Sequence, residues 1–126
     1  DTFVVFESQV LGKPKSKADA VRTLQLLNGK THEVITGMTI IDTKKDKVIS
    51  HAEVTKVTFR EITNCQIKAY VEMADIMDKA GSYAIQGLGA VLVEKIEGDY
   101  FNVMGMPLAK LTEILREEFR VNLLAH

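Results

Sequence analysis

The sequence has almost no cysteine, little proline and no tryptophan, and it carries no strong charge of either sign. Cys65 is the single cysteine among 126 residues, which excludes an internal disulfide framework and a zinc site built from several thiolates. The net charge of −1 excludes a global positive field that would draw the chain onto nucleic acid or an acidic membrane. We therefore expect neither nucleic acid nor membrane among its partners. The scarcity of cysteine fits a reducing compartment, so we expect a cytoplasmic location.

Long apolar runs and familiar catalytic signatures are missing as well. No apolar run approaches the roughly 20 residues that a membrane helix needs. The sequence contains no P-loop, no GxGxxG, no HExxH and no nucleophile elbow. What is present is enough apolar side chain for a core, with 46% hydrophobic and 26% charged residues. At 126 residues, this composition predicts one globular domain.

Hydrophobic periodicity predicts a mixture of strands and helices along the chain. Ser16 and Asp19 are typical of a helix N-terminus, so a helix is expected over residues 17–28. Thr63 followed by Gln66 has the capping-box pattern of a second helix, which ends near residue 73. The other predicted elements are strands over residues 1–6, 10–11, 31–42, 48–60, 90–96 and 100–104, a glycine-rich loop over 78–89 and a last helix from 107. This order indicates an α/β or α+β fold with an at least partly antiparallel sheet.

The beginning of the chain is unusual, because Asp1 leads without an initiator methionine into an apolar, β-branched run. Such a run is typical of a buried strand rather than of a frayed terminus. We therefore expect further sequence upstream of Asp1, and we expect that sequence to contribute to any functional site.

Two charged residues near the beginning of the chain are candidates for chemistry. A carboxylate at the end of a strand, as on Asp1, can hold a divalent cation or act as a general base toward water; the alternative is a solvated strand-edge aspartate. Lys13 stands in a Gly-Lys-Pro sequence, where Pro14 favours an extended backbone that presents the ammonium to a phosphate. A merely solvated loop lysine is the alternative.

The glycine-rich loop around Gln86 is the most specific local feature. Gly87 and Gly89 would let the backbone approach a ligand closely, although packing alone is an equally good explanation of these glycines. The Gln86 side chain carries an amide donor and an amide acceptor, which is what reading the edge of a uracil or thymine ring requires.

Other polar residues give weaker signals. Asp78 and Lys79 can contact a ligand or simply pair with each other. His32, His51 and His126 share no metal-ligand spacing, and a lone strand histidine is more often a surface or capping residue. We assign the histidines no role.

Five separated blocks of the sequence together resemble the Maf family of nucleotide pyrophosphatases, in order and in spacing. The blocks are DTFVV at residues 1–5, GKP at 12–14, HEVITG at 32–37, DKAGSYAIQG at 78–87 and GDYFNVMGMPL at 98–108. The resemblance implies an elongated α/β fold with a curved mixed sheet flanked by helices, similar to the inosine-triphosphate pyrophosphatases. Residues 1–126 would then be a single, N-terminally truncated Maf-like domain.

The same resemblance implies an activity and a set of site residues. The expected enzyme is a hydrolase of acid anhydrides that converts dTTP and UTP, or modified pyrimidine nucleotides, to the monophosphate and pyrophosphate as a house-cleaning reaction. Asp1 matches the family's proton acceptor and Lys13 its phosphate-contacting lysine, while Thr2 and Gln86 match the positions that mark the dTTP/UTP branch. A divalent cation, Mg²⁺ or Mn²⁺, with Asp1 as a ligand, and a homodimer are implied as well.

The sequence departs from the family pattern at its beginning. The family's Ser-x-Ser-Pro-Arg-Arg loop, an acidic residue soon after it and a further lysine precede the Asp-Thr pair, and none of them is present here. An alternative to the enzyme therefore stands at this stage: a catalytically inactive fragment that acts as a nucleotide-binding or dimerising module.

Overall fold

Five strands form one sheet, in the order β2-β1-β3-β4-β5, in the computed structural model of the protein, which describes residues 1–124. The elements are β1 (Thr2–Phe6), β2 (Gln9–Leu11), α1 (Lys17–Leu27), β3 (Thr31–Asp42), β4 (Lys47–Phe59), α2 (Asn64–Met73), β5 (Val93–Glu97), α3 (Tyr100–Met104) and α4 (Leu108–Phe119), with 3-10 segments at Ala80–Ser82 and Gly87–Leu92.

The long β3–β4 hairpin is the centre of the sheet. Its register runs without interruption from Thr31 opposite Thr58 to Asp42 opposite Lys47. On β4, side chains alternate as a sheet with one core face requires, and the inward set is Thr55, Val57 and Phe59. The predicted α/β class, with helices flanking a sheet, is confirmed. The resemblance implies a mixed sheet, which contains parallel as well as antiparallel pairs of strands. All four strand pairings among residues 1–124 are antiparallel.

Helices α1 and α2 cover the core face of the sheet, and both begin where the sequence predicts. The Ser16 hydroxyl accepts a hydrogen bond from the backbone N–H of Asp19, and Thr63 with Gln66 forms the complete capping box. The buried core beneath them contains Leu24, Leu27, Val34, Val57, Phe59, Ile67, Tyr70 and Val71. Within residues 1–124, no helix is long and apolar enough to cross a membrane.

The predicted strand over residues 100–104 is wrong, because this segment is helix α3. The Asp99 carboxylate accepts hydrogen bonds from the backbone N–H groups of Phe101 at 2.8 Å and Asn102 at 3.3 Å, and this N-cap begins a helical turn. Gly105, with φ of +121°, ends it. The five residues of this segment, which are mostly apolar, are too few to show whether the hydrophobic period is that of a strand or of a helix.

The strand predicted over residues 90–96 is displaced for a related reason. Residues up to Leu92 form a 3-10 segment, and β5 begins only at Val93. The loop predicted over 78–89 likewise contains a short 3-10 turn, at Ala80–Ser82. Glycine-rich apolar sequence supports such tight turns as readily as strands.

The side chain of Asn102 ties α3 to the sheet. Its buried amide nitrogen, which has two protons to donate, lies within hydrogen-bond distance of three acceptors: the carbonyl oxygens of Val34 at 3.2 Å and Glu53 at 3.0 Å and the hydroxyl of Thr55 at 3.0 Å. The Thr55 hydroxyl in turn donates to the carbonyl oxygen of Asp99 at 3.1 Å. One amide thus joins β3, β4 and α3 in a region from which water is excluded, where each polar partner is costly to lose.

Replacing this amide with a carboxyl tests the clamp. Asn102→Asp keeps the shape but presents oxygen to three acceptors, so we expect the free energy of unfolding to fall by about 3 kcal/mol or more. Urea denaturation measures the change, with the exposed Asn64→Asp as the matched control. Equal stability of the two variants would contradict this account of α3.

Candidate functional site

A cleft of about 360 Å³ opens where β1 meets the segment that follows α2. The four residues that the sequence singles out for a site all line it, although they are up to 85 positions apart in the chain: Asp1, Thr2, Lys13 and Gln86. The rest of the lining is Val4, Val34, Asp78, Lys79, Ala80, Tyr83, Ala84, Ile85, Val103 and Met104. The cleft therefore combines carboxylates, two lysines, an amide and an apolar wall.

Asp1 is held at the mouth of the cleft by the sheet. Its carbonyl oxygen accepts a hydrogen bond from the backbone N–H of Gly37 at 2.9 Å, which continues the β1–β3 pairing. The residue is exposed, so its carboxylate has access to solvent. An exposed carboxylate on a fixed strand can reach a water molecule or a cation in the cleft.

The donor set of the cleft constrains what metal it can bind. Residues 1–124 include no group of three or more His, Cys, Asp or Glu side chains that could hold a metal ion. Asp1 and Asp78 nevertheless both line the cleft. Mg²⁺ is commonly held by one or two carboxylates together with water and phosphate oxygens. These residues therefore fit a cation that arrives bound to a phosphorylated ligand.

Lys13 and Lys79 bring two positive charges to the lining of the cleft. The loop carrying Lys13 is tied to the segment carrying Lys79, because the Gly81 N–H donates to the Gly12 carbonyl oxygen at 3.2 Å. Lys79 also lies 3.7 Å from Asp78, an exposed pair of little energetic value. Asp78 and Lys79 thus pair with each other, and both also line the cleft; their contact with a ligand stays a prediction. Two lysines on segments that are tied together suit an anionic ligand.

The glycine loop has a more ordinary explanation than ligand contact. A Cβ atom built on Gly89 would lie 1.6 Å from the carbonyl oxygen of Ala84, so close packing requires glycine there. Gly87 has open space around it, but its φ of +63° is a backbone conformation that favours glycine over other residues. Packing and backbone conformation thus account for both glycines, and Gln86, exposed beside them, lines the cleft.

Beneath the cleft lies an aromatic cluster that the sequence did not reveal. Tyr83 lines the cleft, and its hydroxyl lies 2.7 Å from Nε2 of His32; both rings contact Phe59 edge to face. Burial lowers the pKa of His32 to about 4 and raises the pKa of Tyr83. The expectation that a strand histidine lies at the surface is therefore wrong for His32, which is 1% exposed.

His51 is not among the residues that line the cleft. His51 lies beside Glu53 on β4, with Nε2 and Oε2 3.6 Å apart. His126 lies outside the described residues. Tyr83 itself is the residue that sequence reasoning missed, and its place within the block DKAGSYAIQG was the available signal.

Comparison with known proteins gives a consistent result. A family model described as "Maf-like protein" matches residues 1–118. A protein of Thermoanaerobacter sp. (strain X514) named dTTP/UTP pyrophosphatase is 52% identical over 124 residues, which cover 98% of this chain and 65% of that protein.

Two further relatives carry the same name. The protein of Bacillus anthracis is 51% identical over 117 residues, 93% of this chain and 60% of its own length. The protein of Acetivibrio thermocellus is 50% identical over 114 residues, with coverage of 90% and 57%. This chain thus spans between 57% and 65% of the length of these three relatives.

The lowered pKa of His32 predicts a loss of stability in acid. The unfolded histidine titrates near 6.5 and the folded one near 4, so the unfolded state binds more protons between these values and stability falls as the pH drops through that window. We expect a loss of about 2–3 kcal/mol between pH 7 and pH 4.5, measured by urea denaturation. His32→Gln, which cannot titrate, should lack this component; equal pH dependence of the two proteins would contradict it.

Proposed function

Because this chain belongs to the Maf-like family, we propose that the protein containing it is a nucleoside triphosphate pyrophosphatase acting on dTTP and UTP. One observation of the structure supports the proposal more than any other. Four residues selected from the sequence, Asp1, Thr2, Lys13 and Gln86, line a single cleft with lysines and an apolar wall. A phosphorylated pyrimidine needs this combination of charge and apolar surface.

In the proposed reaction, water attacks the α-phosphorus of the nucleotide. Asp1 orients the water and accepts its proton, while the bond between the α-phosphorus and the bridging oxygen breaks. The electron pair leaves with pyrophosphate, and the monophosphate keeps the oxygen of the water. Lys13 stabilises the negative charge that accumulates on the phosphates, where its point charge is worth more in the transition state than in the ground state.

A divalent cation, Mg²⁺ or Mn²⁺, belongs to this proposal. Asp1, with Asp78 beside the same cleft, would hold it together with phosphate oxygens of the substrate. When bound, such an ion neutralises phosphate charge and supports the departure of pyrophosphate. Asp1 would then serve both as a metal ligand and as the proton acceptor.

In this proposal, the side chains of Gln86 and Thr2 read the base. Gln86 offers an amide N–H and an amide oxygen, which complement the carbonyl and N–H groups of a uracil or thymine edge, and the Thr2 oxygen is a second acceptor for that same ring N–H. Thr2 adds a hydroxyl on the wall formed by Val4 and Val34. A modified pyrimidine that keeps these carbonyl and N–H groups would use the same contacts with Gln86 and Thr2.

An inactive nucleotide-binding or dimerising module is the alternative, and it is not favoured because the relatives are named as pyrophosphatases. We propose in addition that the protein is a homodimer, on the basis of the family resemblance. We also propose a cytoplasmic location, where its triphosphate substrates are made and where an exposed free thiol such as Cys65 persists.

Removing the charge of Asp1 tests the assignment of the general base. In the complete gene product, Asp1→Asn should lower kcat for dTTP and UTP by roughly 100-fold or more, measured as pyrophosphate release with Mg²⁺. Asp75→Asn, an exposed aspartate outside the cleft, is the matched control and should change kcat less than about twofold. Full activity of Asp1→Asn would remove Asp1 from the mechanism, and nucleotide binding without turnover by the unaltered protein would support the module.

A further inference from the structure

Thr2 is the first member of a short chain of hydrogen bonds that ends in a backbone carbonyl. Its Oγ1 lies 3.0 Å from Oγ1 of Thr36, its partner across β1 and β3. The Thr36 Oγ1 lies in turn 3.0 Å from the carbonyl oxygen of Asn102. Thr36 is only 2% exposed, so water does not compete for its contact with the Asn102 carbonyl.

Counting protons fixes the direction of this chain. A hydroxyl has one proton to donate, and a carbonyl oxygen can only accept. Thr36 must therefore donate to Asn102; otherwise two oxygens would face each other at 3.0 Å with no proton between them, an unfavourable contact in a buried region. Because its proton is used there, Thr36 can only accept from Thr2. The Thr2 proton consequently points to Thr36.

We propose that Thr36 makes Thr2 an obligate hydrogen-bond acceptor toward the substrate, and that this polarity selects pyrimidines with a ring N–H. Uracil and thymine carry an imide N–H donor, whereas the corresponding ring nitrogen of cytosine is an acceptor. Lone pairs are all that Thr2 has left to offer a ligand. The inference rests on the proposed function, since it deepens the reading of the base.

The surroundings of Thr2 suit a ring more than a phosphate. Thr2 and Val4 lie on the same face of β1 because side chains alternate along a strand, and Val34 and Val103 line the same cleft. Such apolar walls bind a heteroaromatic base, and a single fixed acceptor among them discriminates strongly, because a mismatched ligand leaves it unpaired. Thr36 is thus a positioning residue that acts through Thr2.

The chain offers a matched pair of variants at Thr36. Thr36→Val keeps the volume but removes the acceptor, which frees the Thr2 proton to serve as a donor. The Asn102 carbonyl remains satisfied, because it also accepts from the Gly105 N–H at 3.0 Å. Thr36→Ser keeps the hydroxyl and the direction of the chain. Thr36→Ala serves the same comparison if valine at this buried site lowers the melting temperature below that of the assay.

The experiment measures kcat/KM of the complete gene product for UTP and CTP, together with the affinities of the non-hydrolysable α,β-methylene analogues of both nucleotides. The unaltered protein and Thr36→Ser should prefer the uracil nucleotide in both assays. Thr36→Val should lose roughly tenfold of that preference, with kcat for saturating UTP retained within about threefold, a split that a general loss of structure would not produce.

The outcomes separate the inference from the proposed function. An unchanged preference in Thr36→Val, an equal loss in Thr36→Ser, a uniform loss for both nucleotides, or an unaltered protein that treats both bases alike would overturn the inference. Turnover without dependence of the preference on Thr36 would leave the pyrophosphatase standing. Preference in analogue binding that depends on Thr36, without any turnover, would support the inference and contradict the pyrophosphatase.

Discussion

The buried amide of Asn102 is the contact on which the arrangement of the cleft depends. The side-chain nitrogen holds the backbone of β3 and β4, and the backbone carbonyl oxygen of the same residue ends the hydrogen-bond chain from Thr2. The short helix α3 that carries it also places Val103 and Met104 against the cleft. A five-residue helix has little stability of its own, so its position comes from this clamp and from the Asp99 cap.

The lining of the cleft combines two chemically different kinds of surface. Lysines on two segments tied by one backbone hydrogen bond suit the anionic part of a ligand. The valine wall beneath Thr2 and the aromatic ring of Tyr83 suit an uncharged ring. Tyr83 is itself fixed from below by His32, whose buried, neutral imidazole is maintained at the cost of acid stability.

The positions of most helices and strands could be predicted from the sequence, because capping residues and hydrophobic periodicity are local signals. A strand was expected over residues 48–60 and β4 lies there, and Ser16 and Thr63 marked the beginnings of helices α1 and α2 correctly. Helix α3 was missed because five residues carry no usable period, although Asp99 before it is a common N-cap residue.

For the candidate site, the sequence predicted which residues line the cleft but not the hydrogen bonds that support them. Asp1, Thr2, Lys13 and Gln86 were selected from the residues and the family resemblance, and the structure brings them to one cleft. The hydrogen bonds that support them join residues 34 and 66 positions apart, and no local pattern encodes such pairs. For the same reason, the contact between His32 and Tyr83, 51 positions apart, could not be read from the sequence.

The most direct test of the proposed chemistry is to run the reaction of the complete gene product with UTP in water enriched in ¹⁸O and to locate the label by mass spectrometry. Attack at the α-phosphorus predicts one ¹⁸O in UMP and none in the pyrophosphate released by that turnover. Label in pyrophosphate with unlabelled UMP would place the attack at the β-phosphorus, and labelled inorganic phosphate with UDP would place it at the γ-phosphorus. Either result would contradict the account.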